Sequence, residues 1–202
     1  MMMMHGDAHR AGAWNRPVFL AALAAVALAT AADRALAQNF TEVDPGLPRS
    51  AFPCVVAGDC DGDGDADLLV AGSGKHDIAF ATIYANVGGT FSDSGISLLG
   101  LSRATAAWGD LDGDGDLDLA MTGLTTSGVA TTVIYQNDGA TFTALPGSFL
   151  GVFDGSVMWG DWDGDGDLDL YVSGLTIASS SGVAVTRVYR NDAGIFTSVA
   201  QP

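Results

Sequence analysis

The chain has 202 residues and a formal net charge of −16, with 24 acidic residues against 8 Lys and Arg. So few cations, with Lys75 the single lysine, exclude the clustered phosphate contacts that nucleic acid requires. Fifteen aspartates fall in three short clusters, so the acidity is local, and an apolar content of 48% excludes a generally disordered acidic chain.

Residues 1–37 read as a secretory signal peptide. Arg10 and Arg16 supply a positive start, "PVFLAALAAVALATAA" (17–32) an apolar stretch, and "ALA" (35–37) a small-x-small cleavage site before Gln38. An uncleaved anchor helix is the alternative; it would need about 20 apolar residues. Cleavage leaves 22 acids against 5 bases, a net −17, and no membrane span. The expected location is secreted, periplasmic or at the cell surface. In that oxidising setting Cys54 and Cys60 either bridge or stay as two small thiols, and their spacing decides neither.

Residues 38–50, with "NFTEV" at 39–43, read as a leading strand of a preceding blade. Three repeats follow, at 51–102, 103–153 and 154–202. Their aspartate stretches are "GDCDGDGDADLLVAG" (58–72), "GDLDGDGDLDLAMTG" (109–123) and "GDWDGDGDLDLYVSG" (160–174). The first aspartates, Asp59, Asp110 and Asp161, are 51 residues apart both times. A second motif keeps phase: "IYANVGGTF" (83–91), "IYQNDGATF" (134–142) and "VYRNDAGIF" (188–196). Tyr84 and Tyr135 lie 25 residues after their first Asp, and Tyr189 lies 28 after, so the third repeat carries three extra residues. Phe40, Phe91 and Phe142 each precede the next first Asp by 19 residues. A fixed long period marks a repeat architecture.

Each repeat predicts four short strands. The first ends before Gly-Asp ("ATAAW", "GSVMW"), and the second follows the aspartates ("LDLAMTG", "LDLYVSG"). The third ends in Tyr-x-Asn, and the fourth begins at Thr-Phe or Ile-Phe. Alternation and β-branched or aromatic content favour strands, and Asn-Asp-Gly (137–139) signals a hairpin. Four antiparallel strands in about 50 residues is the size of one propeller blade. The fold class is therefore all-β, with three propeller blades; a solenoid or sandwich is the competing architecture. Propellers close with about four to eight blades. Three blades imply further blades in a longer parent, closure as a homo-oligomer, or an open arc.

Five aspartates on alternate positions repel unless a cation neutralises them. With Asp161 as position 1, Asp163 and Asp165 are positions 3 and 5, Gly166 is 6, Asp167 is 7 and Asp169 is 9. Carboxylates at 1, 3 and 5 of a tight loop converge on one centre, Gly at 6 allows the sharp turn, and position 7 can offer its carbonyl. Oxygen ligands without nitrogen or sulfur suit Ca²⁺ better than Zn²⁺. An EF-hand needs Glu at position 12 and a following helix, whereas Val70, Met121 and Val172 stand there in strand-like sequence.

Three in-phase loops followed by Tyr-x-Asn resemble FG-GAP/VCBS-type repeats, the family that includes the calcium-loop blades of integrin α-subunit propellers. The resemblance covers about residues 39–202. It implies a propeller with about three Ca²⁺, one per loop, in the hairpin between strands one and two of each blade. The implied ligands are Asp59, Asp61, Asp63, Asp65 and Asp67; Asp110, Asp112, Asp114, Asp116 and Asp118; and Asp161, Asp163, Asp165, Asp167 and Asp169. Blade one departs from the pattern: Cys60 stands where Leu111 and Trp162 do, and Ala57 where Trp108 and Trp159 do.

The functional expectation is a non-enzymatic calcium-stapled module for binding or adhesion outside the cell, with an unknown protein or carbohydrate ligand. The alternative is the propeller portion of a secreted polysaccharide- or lipid-acting enzyme whose catalytic residues lie outside this chain. After position 37 the only histidine is His76, in a Gly-rich turn, and the unrepeated acids Asp77, Asp93 and Asp154 form no evident triad. No catalytic residue is expected. Trp108 and Trp159, at strand ends, read as core.

Overall fold

The computed structural model describes residues 46–139, 141–177 and 182–199. The signal segment and "NFTEV" lie outside the described residues, and 46–50 carry no strand. The first repeat forms β1 (Ala51–Gly58), β2 (Asp67–Ser73), β3 (Ala79–Val87) and β4 (Thr90–Asp93). The second forms β5 (Ser102–Gly109), β6 (Asp118–Leu124), β7 (Ala130–Asn137) and β8 (Phe142–Ala144). The third forms β9 (Phe153–Gly160), β10 (Asp169–Thr176), β11 (Val183–Asp192) and β12 (Ile195–Val199). Each set is a four-stranded sheet paired in chain order, antiparallel throughout. The fold is all-β, as the periodicity predicts, and its sheets have the form of propeller blades.

Strand β6 shows why the sheets stack. Successive side chains of a strand point to opposite faces. Leu119 and Met121 pack on one side with Leu69, Ala71 and Ile83 of the first sheet. Ala120 points the other way, into a cluster with Leu170 and Val172 of the third. Both faces of the middle sheet are thus covered, and six of the seven residues of β6 are buried.

Trp108 and Trp159 belong to these inter-sheet clusters, which agrees with their reading as core. Each lies on the glycine that ends the first strand of the sheet before it. A Cβ on Gly58 would stand 2.8 Å from Trp108 Cδ1, and one on Gly109 would stand 2.5 Å from Trp159 Cδ1. Those glycines serve close approach between sheets. The linkers are strapped down by tyrosine hydroxyls: Leu99 N–H donates to Tyr135 Oη at 2.8 Å and Leu150 N–H to Tyr189 Oη at 2.7 Å.

A bulge in each first strand places Phe52, Arg103 and Asp154, 51 residues apart, at φ 52°, 48° and 49°. The Arg103 guanidinium forms an ion pair with the Asp154 carboxylate. It also covers the rings of Phe52 and Phe153, at 5.9 and 4.8 Å from their centroids. Asp154, an acid without a sequence partner, is therefore a link between blades. Cys54 and Cys60 are free thiols in the first cluster. Burial pushes both thiols up from their ordinary pKa.

Candidate metal centres

The three aspartate loops join β1 to β2, β5 to β6 and β9 to β10. Position 6 takes a left-handed backbone in all three: Gly64, Gly115 and Gly166 have φ 95°, 97° and 99°. No neighbour lies within 4 Å of a Cβ added at these glycines, so the backbone alone requires glycine there. The turn brings positions 1, 3 and 9 together. Oxygens of Asp59, Asp61 and Asp67 lie within 4.8 Å of one another, as do those of Asp110, Asp112 and Asp118, and of Asp161, Asp163 and Asp169.

Position 9 is the anchor. Asp67 accepts the N–H of Cys60 at 2.9 Å and of Asn86 at 2.8 Å. Asp118 accepts those of Leu111 and Asn137 at 2.7 and 2.8 Å, and Asp169 those of Trp162 and Asn191 at 2.7 and 2.8 Å. All three carboxylates are fully buried, and each ties its loop to the third strand of its own sheet. Position 1 closes the loop on itself, since the position-6 N–H donates to Asp59, Asp110 or Asp161 at 3.0, 3.1 and 3.2 Å.

Positions 5 and 7 lie outside the three converging groups. Asp63, Asp114 and Asp165 each accept the N–H of the position-7 residue, at 2.8, 2.9 and 2.9 Å. Asp65 and Asp167 cap the hairpin turn after the third strand, accepting the N–H of Gly88 at 2.7 Å and of Ala193 at 2.8 Å. Asp116 faces the matching turn, 2.9 Å from a Cβ that would be built on Gly139.

The electrostatics of the groups follow from this crowding. Burial pushes Asp118 up to about 6, although its two N–H donors pull the other way. Lost hydration, and then the neighbouring carboxylates, raise Asp61 and Asp163. Asp59 Oδ1 is buried and has no hydrogen-bond partner among the described residues. A buried anionic oxygen without a partner is costly. An oxygen-only donor set around such an atom fits a hard divalent cation.

Two kinds of residue in these sites carried no legible role in the sequence. The Tyr-x-Asn asparagines repeat visibly, yet their bonds depend on the packed sheets. Asn137 Nδ2 donates to Leu117 O in its own loop at 3.2 Å and to Cys60 O in the preceding sheet at 2.8 Å. Asn191 Nδ2 does the same with Leu168 O and Leu111 O, both at 3.2 Å. In the second and third repeats the residue before the asparagine faces position 3: Gln136 donates to Asp112, and Arg190 stands 4.0 Å from Asp163.

Residues 59–121 match the family model described as an FG-GAP-like repeat. No curated protein and no solved structure gives a significant match to the chain. The match runs from the first aspartate of the first loop into β6, and the third loop repeats the same spacing beyond it.

Proposed function

From a chain carrying FG-GAP-like repeats, we propose an exported, calcium-binding module of β-propeller type. It is non-enzymatic, takes a protein or carbohydrate ligand outside the cell, and uses calcium as a structural staple. The observation that carries the reading is the buried Asp59 Oδ1, unpartnered among the described residues, beside Asp61 and Asp67 in a group of carboxylates that recurs in all three repeats. Calcium would be held by the aspartates at positions 1, 3 and 9, with loop carbonyls and water completing an oxygen shell. Bound there, it cancels the repulsion among the carboxylates and stiffens a hairpin that has little core of its own.

Calorimetry of chelator-stripped mature protein tests the metal: about three Ca²⁺ should bind per chain. Heat no greater than dilution would overturn the reading. Export is tested by the intact mass of secreted protein, which should begin at Gln38. Protein confined to the cytoplasm would refute it.

A further inference from the structure

The two interfaces between sheets use the same parts in phase. The forward face of a sheet offers its loop residue at position 2 and the glycine ending its first strand. The backward face of the next sheet covers them with the residue before its own such glycine. Cys60 and Trp108 meet in one cluster, and Leu111 and Trp159 in the other. A small or medium residue at position 2 thus faces a tryptophan.

The outer faces of the first and third sheets carry the same positions with the sizes exchanged. On the third sheet position 2 is Trp162, 54% exposed beside Met158 at 56%. Among the described residues the Gly160 notch holds no tryptophan, and a Cβ built there would meet only the Tyr171 ring, 3.5 Å away. On the first sheet the tryptophan position is Ala57 and the loop position next to it is Ala66, both exposed. Val55 beside them is 54% exposed. Bulk missing from one face is present on the other.

The polar groups divide in the same way. Asn137 and Asn191 each bond both their own loop and the position-2 carbonyl of the preceding sheet. Asn86 Nδ2 bonds only its own loop among the described residues, at Ala66 O, 3.0 Å away. Asn137 and Asn191 are buried, whereas Asn86 is only half-buried. The Trp162 carbonyl receives no hydrogen bond from the described residues. One face holds a spare donor and the other a spare acceptor, in the register that pairs twice within the chain.

We propose that the forward face of the third sheet binds the backward face of the first sheet in a second copy of this chain. Trp162 of one copy sits over Ala57 and Ala66 of the other, and Asn86 donates to the Trp162 carbonyl. The contact continues the interface already used between the sheets of one chain. It is head to tail, so it joins copies of the chain end to end and makes a closed ring where the rotation from sheet to sheet allows closure. This inference is independent of the calcium reading.

Light scattering coupled to size exclusion, on mature protein in Ca²⁺ at roughly 1–100 μM, tests it. The expected mass is two chains or a higher whole multiple. Trp162→Ala and Ala57→Trp should each weaken association at least about tenfold, as for a central aromatic anchor. Both positions are exposed, so the variants should keep the parent circular dichroism. The double variant Ala57→Trp/Trp162→Leu recreates the Leu111–Trp159 pairing and should restore association. A single-chain mass at the highest concentration, or association that neither single substitution weakens, would overturn the proposal.

Discussion

Replacing Asp118 or Asp112 by alanine separates two jobs that one loop performs. Asp118 is fully buried and accepts the N–H groups of Leu111 and Asn137 at 2.7 and 2.8 Å. Asp118→Ala leaves two buried donors unpaired, at about 1–3 kcal/mol each. Removing a carboxyl that burial has pushed up to about 6 returns part of that cost. The expected net loss is about 2–4 kcal/mol, and it is present even in EDTA. Asp112 is exposed and its side chain bonds only Gln136 among the described residues. Asp112→Ala should therefore change stability by no more than about 0.5 kcal/mol in EDTA. In Ca²⁺ at a hundredfold excess over Kd, the same variant should forfeit up to about 2.7 kcal/mol of linkage stabilisation. Urea unfolding followed by tryptophan fluorescence, in EDTA and in Ca²⁺, reads both quantities, provided the m-value is unchanged. If the two variants cost the same in EDTA, or if Asp118→Ala costs nothing there, the assignment of position 9 as anchor and position 3 as ligand is wrong.

Gly109→Ala would force a Cβ to within 2.5 Å of Trp159 and should cost about 1–3 kcal/mol by overpacking, whereas Gly160→Ala, with Tyr171 at 3.5 Å its one neighbour among the described residues, should be tolerated; thermal melts compare the pair. Stability in chelator should rise as pH falls from 7 towards 5. Asp118 has a folded pKa of about 6, above its unfolded value near 3.9, so the folded state binds a proton that the unfolded state does not across that window. Asp61 and Asp163 shift in the same direction, and Asp118→Asn should flatten the profile. Calcium affinity should fall over the same range, because the bound loop needs ionised carboxylates; calorimetry at pH 7 and pH 5 checks this. Asp114→Ala and Asp165→Ala each remove one exposed turn acceptor, so their effects on melting temperature should be small and nearly additive in EDTA, the sites lying in different sheets.

The strands, their order within each repeat and the position of the loops were legible in the sequence, because they follow from local properties. A period of two marks each strand, a period of 51 marks each repeat, and glycine at position 6 marks where the backbone turns left-handed. The five aspartates of each loop were equally legible as a group, but their division of labour was not. The loop spacing points to convergence of positions 1, 3 and 5, whereas the structure brings positions 1, 3 and 9 together. Tertiary structure sends position 9 to the N–H of a residue 19 or 22 positions away, as in Asp67 with Asn86 and Asp169 with Asn191. It turns Asp65 and Asp167 towards the hairpin beyond the third strand, 23 and 26 residues away. Asp154 shows the same limit, since its partner Arg103 lies 51 residues back and meets it only where consecutive bulges align. Local spacing determines which groups are near one another along the chain. The direction of a carboxylate is determined by whichever N–H would otherwise lack a partner, and those donors become neighbours only once the sheets have formed.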